Sequence, residues 1–395
     1  MSSICTDEMW PNVDRFIPPK VLALIQENAA SADRNARVTG DTLASLKECK
    51  YFGSVVPETL GGGGASLLEC AAMQRRVAQY DVGLAVGLVM HTHTVAGLNE
   101  LSACGDPKFI DLLKGVASKQ HIVLSAGSEK GLGGAVARSS FESLRTKGGY
   151  LISGNKTPVS FARLGKHVIL QFPDPAKPRS EALLALIPMK SRSIAIVRTW
   201  DTLGARSSES DTVSFKRCFV PDGFIIRLSK KNADKLRDIA VSWYCILLTA
   251  SYLGVVNGVL SETKKRLMTQ ILHTRATTKS NLPSFQRAVG DIVSKVLLME
   301  TACVSLASKG SIDGACFDGI LPCALSLKYM AVDIFLDTIS RLAEIIGGSS
   351  YGASGSVAKA LRDIHALPFH VPNRIMSQQM LGRLMFDLPA DFNYR

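Results

Sequence analysis

Near the C-terminus, the run Arg362-Asp363-Ile364-His365-Ala366-Leu367-Pro368-Phe369-His370-Val371-Pro372 places two imidazoles in a turn bracketed by prolines. With an ordinary pKa of about 6.5, a histidine there can hydrogen-bond an oxygen or pass a proton near neutral pH. The same turn also suits a histidine that merely packs or caps, and His365 is the weaker candidate of the two. Ser128 and Ser160 fall between strand-like runs, on loops where a hydroxyl can give or accept a hydrogen bond. Arg275 suits a phosphate by charge and planar donor geometry. Gly347-Gly348 allows a backbone to approach a ligand closely. Each of these also has an ordinary reading, as loop serine, solvated arginine or turn glycine. His91 and His93 share one apolar helical stretch, and core packing is the favoured reading for both.

Three textures position these residues. Residues 1–120 read as helices, with apolar residues at three- and four-residue spacing over Lys20–Ala30, Thr42–Lys47, Leu67–Val77 and Leu84–Leu101. Residues 121–230 break into short runs bounded by Gly, Pro, Ser and charge, among them His121–Ala126, Tyr150–Ser153, His167–Phe172, Ala182–Ile187, Ile194–Val197 and Thr212–Phe215. These predict strands. From 231 to 395 long helical patterns return, at Leu236–Leu272, Phe285–Ser308, Pro322–Ile346 and Ser356–Ala366, and predict a bundle. The order helices, strands, helices argues against a doubly wound parallel sheet. Gly131-Leu132-Gly133-Gly134 lacks the full spacing of a dinucleotide fingerprint and reads as a loop that approaches some ligand.

The 395 residues are 46% hydrophobic and 20% charged, an ordinary globular composition. Net charge is +12, but the basic residues are dispersed, Lys264-Lys265-Arg266 being the longest run. This favours a solvated basic surface or an anionic small ligand over nucleic acid. The nine cysteines contain no C-x-x-C pair, which disfavours a zinc site or a disulfide framework and suits a reducing cytoplasm. No metal site is expected. Ile239–Ser261 carries no charge and is long enough to cross a bilayer, but its scattered Ser242, Thr249, Ser251 and Asn257 favour a buried bundle helix over a membrane span.

Several stretches, in order along nearly the whole chain, resemble the acyl-CoA dehydrogenase superfamily. They are Val56-Pro57-Glu58-Thr59-Leu60-Gly61-Gly62-Gly63-Gly64, Ser128-Glu129-Lys130-Gly131, Gly154-Asn155-Lys156 with Ser160, and Leu203-Gly204-Ala205-Arg206-Ser207-Ser208-Glu209-Ser210. Arg275 and Gln286 at eleven-residue spacing, Gly347-Gly348 with Tyr351, and Arg362-Asp363 complete the series. The resemblance implies an α+β fold with an N-terminal helical domain, a central β-barrel or sheet domain and a C-terminal four-helix bundle, assembled as a homotetramer. It also implies a flavin, FAD or FMN, against Ser128 and Ser160. Arg275, Gln286 and Gly347-Gly348 of a neighbouring subunit would then reach its phosphate and nucleotide part. Thr277-Thr278-Lys279 stand where the family has Gln-Phe-Gly, which leaves the choice of flavin open.

The family's catalytic glutamate, eight residues beyond the Arg-Asp aspartate, is Val371 here. The alternative glutamate position on the long helix aligns with Tyr244, followed by Cys245. Neither is a convincing base, because their ordinary pKa values lie far above a carboxylate's. The pattern of Arg-Asp, then His370, then Pro372 instead resembles the two-component flavin-dependent monooxygenases of this fold. Those take reduced flavin from a separate reductase and use O2 through a C4a-(hydro)peroxyflavin. The resemblance implies hydroxylation or N-oxygenation of a small molecule, with His370 and Ser160 catalytic, in a cytoplasmic enzyme with no nucleic-acid or membrane partner. The alternative is an acyl-CoA or acyl-carrier-protein dehydrogenase with a non-standard base.

Overall fold

The computed structural model describes residues 6–102, 107–135, 138–176, 183–226, 230–272, 276–310 and 319–390. The chain opens with helices α1 Pro19–Asn35, α2 Gly40–Glu48, α3 Leu67–Ala78, α4 Val82–Ser102 and α5 Pro107–Lys119. Strands follow: β1 Ile122–Ala126, β2 Glu142–Thr146, β3 Gly149–Lys156, β4 Gly165–Phe172, β5 Leu183–Pro188, β6 Ile194–Val197, β7 Thr212–Pro221 and β8 Ile225–Ile226. The chain then returns to helices α6 Lys230–Thr269, α7 Pro283–Lys309, α8 Ile320–Ile346, α9 Ser356–Ile364 and α10 Arg374–Met385.

Local chemistry sets the helix starts. Ser66 accepts the Glu69 N–H while the Glu69 carboxylate accepts the Ser66 N–H, a reciprocal capping box at α3. Asn373 accepts the Met376 N–H and so begins α10 directly after Pro372. The strands make two four-stranded sheets, ordered β1-β4-β5-β8 and β2-β3-β7-β6. β1 and β4 run parallel and the other pairs antiparallel, Tyr150 facing Val220 and Ile169 facing Leu186.

α6 has 40 residues, which at 1.5 Å per residue makes it about 60 Å long. Its uncharged middle is enclosed by α3, α4 and α8, with Ile246, Leu247, Leu248, Leu253 and Val256 fully buried. Helix-on-helix burial therefore explains its apolarity. α4 has no polar face for the same reason, since it lies between α6 and β1.

Candidate functional site

A cavity of about 870 Å³ opens where α4, the sheet β1-β4-β5, the start of α6 and the turn after α9 meet. Its walls are mostly apolar, from Val86, Met90, Leu98, Ile169, Leu184 and Val241.

Three loops form its polar rim, and backbone bonds zip them together. The Thr157 N–H donates to Ser128 O at 2.9 Å, and the Val159 and Phe161 N–H groups donate to Asp211 O and Ser208 O at 3.0 and 2.8 Å. This brings Ser160 within 2.9 Å of Ser210, itself 2.8 Å from Ser208, so three hydroxyls form a chain along the cavity. Gly87 on α4 makes room for it: a Cβ there would lie 2.2 Å from the Phe161 ring. Beneath Ser128, Glu129 accepts from Lys156 Nζ at 2.6 Å and from the Ser140 N–H and hydroxyl. Burial raises the Glu129 carboxyl, but Lys156 and the serine donors outweigh it and hold it below its ordinary value.

The turn carrying His370 is fixed from both ends. Asp363 of α9 accepts the Ala205 N–H at 2.8 Å and Lys359 Nζ at 2.5 Å, and Arg362 pairs with Asp33. Gly204 permits this docking, because a Cβ there would lie 2.4 Å from Arg362 O. On the other side Lys328, only 1% exposed, donates from Nζ to His370 O and to Pro372 O, both at 2.6 Å. The Tyr252 hydroxyl lies 3.0 Å from His370 Nε2. Burial, with the Lys328 ammonium adding to it, pushes the His370 imidazole down to about 3, so it is neutral near pH 7. A neutral imidazole there can still hydrogen-bond an oxygen in the cavity.

The candidates are therefore partly united. Ser128, Ser160, His365 and His370 line the cavity. His365 is exposed and its Nδ1 bonds Leu361 O at 2.6 Å within its own helix. The two α4 histidines separate, which corrects the packing reading for one of them. His91 is a core residue, its nitrogens engaged with Phe52 O at 2.9 Å and the Val123 N–H at 3.1 Å. His93 lines the cavity beside Tyr244, and both its buried ring nitrogens lack a partner.

Gln286, Gly347 and Gly348 do not reach the cavity of their own chain. Arg266 bonds Ser349, and the helical rise puts Arg266 roughly 33 Å along α6 from Tyr244. Arg275 lies outside the described residues. Tyr252, Lys328, Ser208 and Ser210 were not singled out from sequence. Lys328 had a signal, because it falls on the apolar face of α8 with Ala324, Ala331 and Phe335.

Buried neutral histidines make the fold acid-sensitive. Burial pushes His91 and His93 down to about 4. The unfolded chain then binds more protons below about pH 6.5, so this part of the stability is present above that pH and lost as the pH falls toward 4. His93→Phe removes one such ring. In urea unfolding of the flavin-free protein, it should shrink the stability difference between pH 7.5 and pH 5 by about 2 kcal/mol. An unchanged difference would show that His93 is not held neutral.

Comparison with known proteins agrees with this architecture. Residues 19–109 match the acyl-CoA dehydrogenase N-terminal domain. An isobutylamine N-hydroxylase of Streptomyces viridifaciens is 28% identical over 340 residues, 83% of this chain and 85% of its own. The amino sugar nitrososynthase RubN8 of Streptomyces rubradiris is 26% identical over 98% of this chain and 92% of its own. The crystal structure of FMN-bound TdsC from Paenibacillus sp. A11-2 superposes with a TM-score of 0.85 at 16% identity, covering 97% of this chain and 99% of that one. The chain has the acyl-CoA dehydrogenase-like fold, an N-terminal helical domain followed by central sheets and C-terminal helices.

Proposed function

We propose that this chain is a flavin-dependent monooxygenase that takes reduced flavin from a separate reductase and, with O2, hydroxylates or N-oxygenates a small molecule. The carrying observation is that the cavity offers no free carboxylate where desaturation would need its base. Among the described residues Glu129 is the one carboxylate lining it, and Lys156 and Ser140 engage that group. Burial drives the Tyr244 phenol far above its ordinary value and the Cys245 thiol up to about 12. Neither Glu129, Tyr244 nor Cys245 is thus free to serve as the base that takes an α-proton from a thioester near neutral pH.

The residues fit a flavin ring. The apolar walls suit its faces, and the chain Ser160–Ser210–Ser208 with Ser128 supplies hydroxyls along one side. Reduced flavin, when bound, supplies the two electrons with which one oxygen atom goes to substrate and the other leaves as water. The protein's part is to exclude water, orient the ring through its serines and present His370 as a neutral hydrogen-bonding group. Relatives named for an amine and an amino sugar favour nitrogen as the atom oxygenated.

The distance from Tyr244 to the Gly347-Gly348 end of α6 supports completion of the site by a second copy, in the proposed homotetramer. Exposed Leu298, Ile375, Met385 and Phe386 offer apolar contact surface for it. Arg275, Gln286, Gly347 and Gly348 would then hold the phosphate side of FAD or FMN. Free cysteines such as Cys70, Cys245 and Cys303 accord with a cytoplasmic location. The test is complementation: His370→Ala and Arg275→Ala chains, each impaired in product formation alone, should regain product formation when co-assembled. Mixed oligomers that remain impaired would refute sharing between subunits.

A further inference from the structure

We propose that Tyr252 and Lys328 are positioning residues that lock His370 in a single neutral tautomer, with the proton on Nδ1 and that N–H presented to the cavity. The inference deepens the monooxygenase reading and rests on it for its chemical meaning. The geometry stands on its own.

Tyr252 is fully buried on α6, and its hydroxyl has His370 Nε2 as its partner at 3.0 Å. Burial, with the negative charge of Asp363 adding to it, raises that phenol well above its ordinary value, so it keeps its proton. Were His370 protonated on Nε2, the phenolic O–H would face another donor and be left buried without an acceptor, which is costly. With Nε2 as acceptor, the Tyr252 proton is used and the imidazole proton resides on Nδ1. His370 lines the cavity, and Nδ1 is not among the buried atoms that lack partners.

Lys328 fixes the other degrees of freedom. Its two bonds hold the carbonyls on either side of Val371, so the His370 backbone cannot swing away from the phenol. Lys328 on α8 and Tyr252 on α6 act on the ring directly, while Asp363 on α9 and Tyr244 on α6 act on Tyr252, and Cys245 on α6 is coupled to Lys328. Lys328 is the cation among them that acts on His370, and it opposes a second proton there. His370 is then a fixed donor to an oxygen or carbonyl acceptor in the cavity, and not an acid. The donor arises from three segments of the chain, at 252, 328 and 370.

The direct test uses flavin-free protein labelled with ¹⁵N-histidine, the His370 signal being assigned by its loss in His370→Ala. Long-range ¹H–¹⁵N correlation should show one Nδ1–H tautomer that does not titrate between pH 5 and pH 8. Tyr252→Phe should mix the tautomers and lower product formed per O2 about tenfold, with substrate KM unchanged. Lys328→Met, of similar volume, should broaden or split the His370 signal as the turn loses its clamp. An Nε2–H tautomer, a titrating imidazolium, or a Tyr252→Phe spectrum identical to that of the parent would overturn the proposal. An unchanged His370 signal in folded Lys328→Met would remove Lys328 from it. If His370→Ala still couples O2 to product, the catalytic use of His370 fails, while the tautomer, read without flavin, is judged separately.

Discussion

Replacing His370 by Ala is expected to leave O2 consumption by supplied reduced flavin intact while product falls roughly 100-fold, the scale for removing one preorganised donor in a dry site. The missing product should appear as hydrogen peroxide. The turn itself should survive, because its anchors are the Lys328 bonds to the carbonyls of residues 370 and 372, which a side-chain change does not touch. His370→Asn should restore part of the coupling, since its amide can donate from near the Nδ1 position. A residue acting as an acid would gain nothing from Asn. Product yield and peroxide measured together decide this: full coupling in His370→Ala would remove the residue from the chemistry.

Replacing Glu129 by Ala should have the largest effect on the fold at the cavity. Lys156 is fully buried and its ammonium rests on Glu129 at 2.6 Å. Deleting the carboxylate leaves a buried cation without its counter-charge, a change that costs about 3–5 kcal/mol. It also frees the loop carrying Ser128, because Ser140 loses its acceptor for both N–H and hydroxyl. Denaturant unfolding should show the loss, and reduced-flavin affinity should fall with it. Glu129→Ala with Lys156→Met, which removes both charges, should recover much of the stability. If the single variant were as stable as the parent, the ion pair would not organise this loop.

Much of the scaffold could be read from periodicity, and its failures have physical causes. β6 falls on the four residues expected, Ile194–Val197, whereas β7 continues past Phe215 to Pro221. Lys216 and Arg217 interrupt the apolar alternation, and Arg217 has φ 45°, but pairing of Cys218–Pro221 with β3 carries the strand on. β2, Glu142–Thr146, was not read because it is a polar, largely exposed edge strand whose partner β3 defines it. α10 escaped because its apolar residues point all ways, Met376 and Met380 inward and Ile375 and Met385 outward.

The site divides in the same manner. Ser128, Ser160 and His370 sit in motifs and were nameable from the chain. The residues that give His370 its state were not, because Tyr252 lies 118 positions away and Lys328 reaches across 42. Their role exists only once α6, α8 and the turn are packed together. The same packing separates His91 from His93, two positions apart in sequence and yet one in the core and one on the cavity.

The central claim is that this cavity performs oxygenation and not desaturation. Its most direct test gives the purified protein reduced FMN or FADH2 from a reductase, with O2 and a panel of small amines, and follows O2 uptake and oxygenated product. A parallel anaerobic sample receives oxidised flavin and acyl thioesters. The account predicts oxygenated product that depends on reduced flavin, and no bleaching of flavin by thioesters. Bleaching of bound flavin by a thioester without added reductant, with no oxygenated product in the first sample, would contradict it.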